Sequence, residues 1–309
     1  MSEISIGEAV GEGFAVIRRQ PLVVLAWGVV PLLFAAIYIA LFLPLYLAMI
    51  SEMARSVQSG GRPDPTAWMP QAMQSQGISY LLGAAGGLMN AVLSCAVIRS
   101  VLYPEQSRYA YLRVGKAELF LFLITIGAGI ALAVGIVVLM IPVGIMIGVM
   151  AAMHAVGGAI TVGVVAALAL FVGLFYVVLR FSLVAPMMVA ENDFRLMESW
   201  NMTRGKVGSL FCIGLLVVLV VLVAEVVVFG LVAAVGIAVL NASAGGLDGL
   251  PTLLKQHPGE ILSKLAPVLV LYVLVAIPFS GFVLCVRAAP WARVYRQLHP
   301  TGDVAKTFT

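Results

Sequence analysis

The chain has 309 residues, 62% of them hydrophobic and only 10% charged, where soluble domains carry roughly 25% charged residues. So little charge excludes a soluble globular protein of this size. The formal net charge is +4, but the cations sit at the ends of apolar stretches, as topology signals do, with no basic run and no nucleic-acid motif; nucleic acid is excluded as a partner.

Residues 1–20 are too polar for a cleaved signal peptide and read instead as a cytoplasmic amphipathic helix at the membrane interface. Ile6, Val10, Phe14 and Ile17 share one face, Glu8 and Glu12 fall on the polar side, and Ser5-x-x-Glu8 fits a capping box. Residues 21–287 read as the transmembrane domain. A spanning helix needs about 20 apolar residues. The first stretch runs from Pro21 to near Ile50 and the second from near Ile78 to Leu102. The apolar region from Leu119 to Leu179 is too long for one crossing and predicts two spans, with a turn somewhere between Pro142 and Gly158. The fifth span runs from Ser209 to Leu240, the sixth from Leu265 to Arg287, and residues 288–309 form a cytoplasmic tail. The fold class is therefore all-α: a polytopic membrane helix bundle of six transmembrane helices.

Two loops separate paired spans, at 51–77 with GGRPDP and at 241–264 with NASAGGLDGLP. Both are too short for independent cores, although TLLKQHPGEILSKL could hold a short helix. Asn241 and Ser243 match a glycosylation acceptor. With the N-terminus inside, cytoplasmic segments hold Arg18, Arg19, Arg99, Arg108, Arg113, Lys116, Arg180, Arg195, Arg204, Lys206, Arg287, Arg293, Arg296 and Lys306. The other side holds Arg55, Arg62, Lys255 and Lys264, a bias of 14 to 4. Six spans with both termini inside follow from the positive-inside rule, and a seventh span would spoil the bias.

Each returning helix closes on two apolar residues, Arg, and then Pro: Val-Ile-Arg99 with Pro104, Val-Leu-Arg180 with Pro186, Cys-Val-Arg287 with Pro290. Two accounts stand: three pseudo-repeated hairpins introduced by interfacial helices, or topology rules that place Arg at every inward helix end. Residues 193–204 form the second amphipathic stretch. Asn192 is its candidate cap, Leu196, Trp200 and Thr203 share a face, and Gly205 ends it. Such helices either seal the bundle or dock a partner.

Chemistry is sparse. Glu225, in the middle of the fifth span, is the one acid inside the bilayer, and Asn90 and Ser94 in the second span are its candidate polar partners. That trio is the candidate intramembrane polar site, either an ion or proton site or a hydrogen bond between helices. Arg99, Arg180 and Arg287 are candidate contacts for anionic lipid headgroups. Cys95, Cys212 and Cys285 lie in apolar stretches without ligand spacing and are read as packing residues. His154, His257 and His299 stand apart from one another in sequence, and no metal or cofactor site is expected. Gly144-x-x-x-Gly148 matches a small-residue helix contact. No hydrolase, metalloprotease or phosphate-loop motif is present, so an enzyme is not expected.

The stretch Arg180-Phe-Ser-Leu-Val-Ala-Pro-Met-Met-Val-Ala-Glu-Asn192, with Glu198-Ser-Trp200-Asn-Met-Thr-Arg204-Gly-Lys206, resembles a broad bacterial family. The family comprises the membrane domain preceding some glycerophosphoryl diester phosphodiesterases and related stand-alone six-helix membrane proteins. Gly7-Glu-Ala-Val-Gly-Glu-Gly-Phe14 and Arg18-Arg-Gln-Pro21 fit the same pattern. The resemblance covers nearly the whole chain. No phosphodiesterase domain is present in the 309 residues, so that activity is not carried over. The resemblance implies a bacterial inner-membrane location and work near lipids. The expected function is a non-enzymatic scaffold or accessory component of a membrane complex or lipid-related process, with membrane lipids, another membrane protein or a second copy as partners. The alternative is a small transporter or channel for lipids, amphiphiles or ions built on Glu225.

Overall fold

The computed structural model describes residues 4–59, 64, 66, 68–193, 196–244 and 258–299. Every regular element among them is helical. The helices are α1 (Ile6–Arg19), α2 (Pro21–Ser59), α3 (Met69–Leu102), α4 (Lys116–Ala152), α5 (Val156–Arg180), α6 (Val184–Glu191), α7 (Leu196–Met202), α8 (Val207–Ala244) and α9 (Pro258–Leu298), with a single 3₁₀ turn at Arg108–Tyr111 between α3 and α4. Six of these, α2, α3, α4, α5, α8 and α9, are long and apolar enough to cross a membrane, and the chain is a multi-pass membrane protein. Their exposed surface is aliphatic, as at Ile130, Val137, Val138 and Leu139 of α4. In lipid such a helix satisfies its own backbone and needs no polar face.

Several helices outrun the apolar segments that define them. α2 continues to Ser59 and α3 begins at Met69. The polar continuation is supported by the Arg55–Glu52 ion pair at 3.0 Å and by the Ser51, Ser56 and Ser75 hydroxyls, which donate to carbonyls of the preceding turn. Pro70 lies in the first turn of α3, where its missing N–H costs nothing. Asn241 and Ser243 fall in the last turn of α8. Most of GGRPDP, the GGLDGLP run, residues 252–257 with His257, Arg195 and the tail from residue 300 lie outside the described residues.

The turn between the third and fourth spans is short. α4 runs straight through Pro142 and ends at Ala152, and the chain reverses over Met153–Ala155, with His154 in the left-handed region at φ 59°. The sixth span departs from the Arg-then-Pro pattern. α3 ends at Leu102 and α5 at Arg180, but α9 continues through Arg287 and Pro290 to Leu298. Proline is tolerated inside membrane helices because neighbouring groups satisfy the freed backbone carbonyl.

The helices divide into two compact units. One comprises Gly13–Met89 and Val217–Arg287. Within it α2 and α9 cross closely. An added Cβ at Gly28 would lie 1.9 Å from the Ile277 carbonyl oxygen, and one at Gly281 would lie 2.2 Å from the Val24 carbonyl oxygen. Trp27 is fully buried beside this crossing. Phe14 meets Phe282 edge-on at 5.8 Å, and Gly13 approaches the backbone of Val286. Phe14 nevertheless stays 45% exposed. The face of α1 that is buried is Ala9, Glu12, Gly13 and Val16 rather than the larger apolar stripe, because small side chains allow close helix approach.

The other unit comprises the residues up to Glu12, Asn90–Leu216, and Ala288 onward. It holds the α4–α5 hairpin, with α6 packed on both α4 and α7. α1 is tied to the end of α9 here. Arg293 donates to Glu8 at 2.8 Å and lies 3.8 Å from Glu12. The expected capping box does not close in the usual way, since the Ser5 amide donates to Gln297 Oε1 at 3.2 Å and Glu8 is engaged by Arg293. That arginine, by hydrogen bond and charge, holds the Glu8 carboxyl below its ordinary value. Gly144 and Gly148 are exposed, and a Cβ added at either would meet nothing within 4 Å among the described residues, so neither is needed for a close helix approach.

Candidate functional site

Two cavities lie in the second of these units. The first is a chamber of about 490 Å³ lined by Arg99, Tyr103, Gln106, Arg113, Ala117, Val189, Ala190 and Asn192, so that two arginines and two amides edge a largely apolar wall. The second is an open apolar groove of about 1200 Å³ along Phe120–Leu132 of α4, flanked by Phe181, Val184, Ala185 and Leu196. The same helix faces build both. On α4, Ala117 faces the chamber, and Leu121, Ile124, Ala128 and Leu132 continue that face along the groove at helical spacing. On α6, Ala185 faces the groove, while Val189 and then Asn192 face the chamber.

The chamber is held by hydrogen bonds from its walls. Arg99, at the end of α3, pairs with Glu118 and also donates to the Tyr111 carbonyl at 3.3 Å. Glu118 is fully buried, and its second oxygen accepts from the Gly115 amide at 2.9 Å, capping α4. Tyr111 is likewise buried, with its hydroxyl donating to the Pro104 carbonyl at 2.8 Å. Across the chamber Tyr103 donates to the Ala190 carbonyl at 3.2 Å. Burial, and then the nearby Glu191 carboxylate, push the Tyr103 hydroxyl pKa up. Asn192 adopts the left-handed conformation at φ 53° and closes the C-terminus of α6, instead of opening the helix that follows. Arg113 is exposed, 3.3 Å from Gln106, at the mouth.

The three arginines that share a sequence context have three environments. Arg99 is ion-paired on the chamber wall. Arg180 is only 5% exposed. Its guanidinium stacks 4.3 Å from the Trp200 ring and 5.7 Å from that of Tyr176, and donates to Thr203. Ser199 and Thr203 also donate to the Arg180 carbonyl, fixing α7 on the end of α5. The predicted face of α7, Leu196, Trp200 and Thr203, does point inward, and Gly205 ends this segment at φ 76°. Arg287, in the other unit, is exposed.

Asn90 is exposed and Ser94 half-buried, one turn apart on α3. Glu225 is half-buried on α8, in the other unit. Cys95 and Cys285 are buried and Cys212 is exposed. Sequence reasoning missed Glu118 and Tyr111, which organise the chamber. The available signal was an acid three residues after Gly115, the reach-back position of a helix start.

No family model matches this chain, and no curated protein or solved structure matches it.

Proposed function

We propose that this protein is a non-enzymatic accessory component of a lipid-related process in the bacterial inner membrane, with both termini in the cytoplasm, and that it holds an anionic amphiphile in the paired cavities. The observation that carries this reading is that the same faces of α4 and α6 line both a chamber edged by Arg99, Arg113, Gln106 and Asn192 and an apolar groove. An amphiphile has this division of chemistry. Its acidic head would meet Arg113, with Gln106 and Asn192 as further donors, while its chains would lie against Leu121, Ile124 and Ala128. At about 1200 Å³ the groove exceeds the roughly 300–1,000 Å³ of ordinary small-molecule sites. The 14-to-4 charge bias supports an orientation with the chamber at the cytoplasmic headgroup level, where anionic lipids concentrate. The resemblance to membrane domains joined to glycerophosphodiesterases points the same way.

The test is lipid analysis of the protein extracted in mild detergent. Anionic phospholipid is expected to be enriched over its share of the membrane. Arg113→Glu, at the head end, and Ile124→Trp, in the groove, should each reduce that enrichment severalfold while the protein still purifies as a folded species. Co-purified lipid that mirrors the bulk membrane, or that ignores both substitutions, would overturn the reading. Glu225 belongs to the other unit and plays no part in it.

A further inference from the structure

Glu191, Glu198 and His299 are 108 positions apart at their extremes (191 to 299), yet the fold gathers them. Glu191 is the last residue of α6, Glu198 lies in α7, and His299 follows the end of α9. One carboxylate oxygen of each glutamate and one ring nitrogen of the histidine all lie within 4.8 Å of one another, and all three residues are half-buried. The supports of this cluster are specific. The Tyr295 hydroxyl donates to Glu191 at 3.0 Å. The His299 amide donates to the Tyr295 carbonyl at 2.9 Å, and the imidazole rests against the Tyr295 ring at 5.0 Å. α7 is fixed from below by the Ser199 and Thr203 bonds to Arg180.

A second observation points to a ligand. The Nε2 atom of His299 is buried and has no hydrogen-bond partner among the described residues. A buried imidazole nitrogen is normally satisfied, and the same ring presents a nitrogen to the two carboxylates. We infer that Glu191, Glu198 and His299 form a binding site for a borderline divalent metal ion of the Zn²⁺ or Mn²⁺ class. Mixed imidazole and carboxylate donors suit these ions, whereas Mg²⁺ and Ca²⁺ take all-oxygen sets. Donors around a Zn²⁺ at about 2.0–2.2 Å stand roughly 3.4 Å apart, so rotamer adjustments of about an ångström would close this set. Three protein donors leave one position for water or another ligand. The ion would fasten the ends of α6, α7 and α9 together.

The test uses the full chain in detergent, without a histidine tag and stripped by chelator, titrated calorimetrically with Zn²⁺ alone. One saturable site with a dissociation constant below about 10 μM is expected, accompanied by a rise in melting temperature. His299→Gln and Glu198→Gln should each weaken binding at least tenfold and abolish that rise. His154→Ala, in the turn between α4 and α5, should change neither. Absence of saturable binding, or binding indifferent to both substitutions, would overturn the site. Should either variant fail to give a monodisperse protein, Mn²⁺ paramagnetic resonance on the unaltered protein reads nitrogen coordination directly. A signal lacking nitrogen coupling would count against the assignment.

Discussion

Glu118 has no contact with solvent and still carries an ionisable carboxyl. What makes this tolerable is that both of its oxygens are used: one by the Arg99 guanidinium, the other by the Gly115 amide. Removing one member of a buried pair leaves a desolvated charge behind and typically costs about 3–5 kcal/mol, whereas removing both is far less damaging. Glu118→Gln is therefore expected to lower the thermal stability of the detergent-solubilised protein by an amount of that order. Adding Arg99→Met to the same chain should restore part of the loss. If the two losses simply add, the pair is not coupled and the account of the chamber wall is wrong. Arg180 follows different physics. Its charge is spread over the faces of Trp200 and Tyr176, an arrangement available to a planar guanidinium and poorly reproduced by lysine.

At the scale of elements, the described glycines with the least room for a side chain lie at the crossing of α2 and α9. Gly28 and Gly281 each face a backbone carbonyl of the other helix, and a backbone atom cannot swing aside as a side chain can. Overpacking ordinarily costs about 1–3 kcal/mol. Gly281→Ala and Gly28→Ala are expected at or above the top of that range, because the helices must separate to admit the methyl group. Gly83→Ala, on α3 with nothing within 4 Å of its added Cβ, should be neutral or slightly stabilising, since alanine is the better helix former. Melting temperatures of the three variants decide it, and a Gly281→Ala protein as stable as Gly83→Ala would refute the crossing. Nothing in the sequence distinguishes these glycines. Among 31 of them, the Gly144-x-x-x-Gly148 spacing looked more like a contact than Gly28 or Gly281 did, because packing depends on which faces meet and not on local spacing.

For the whole molecule, the six spans were legible because lipid imposes a rule that sequence obeys openly: about 20 apolar residues per crossing, with cations at the ends. The gathered sites were not legible. Ala117 and Val189, or Glu191 and His299, become neighbours only through tertiary packing. Likewise Arg99, Arg180 and Arg287 carry one sequence signature and meet three environments. The element ends were also opaque, since α2 and α3 extend on polar residues that side-chain hydrogen bonds support. Orientation rests on charge alone, and it governs which compartment the chamber faces. Residues 103–116 carry three cations, Arg108, Arg113 and Lys116, against Glu105, and the α9 end carries Arg293 and Arg296. Residues 51–77, from the end of α2 into the start of α3, carry only Arg55 and Arg62 as cations. On the proposed orientation the first two segments stay in the cytoplasm and the third is exported. A reporter phosphatase that folds only after export should therefore be active when fused after Asp64 and inactive when fused after Ala110 or His299. Activity after His299 would invert the molecule, turn the chamber away from the anionic leaflet and remove the electrostatic argument for an acidic lipid.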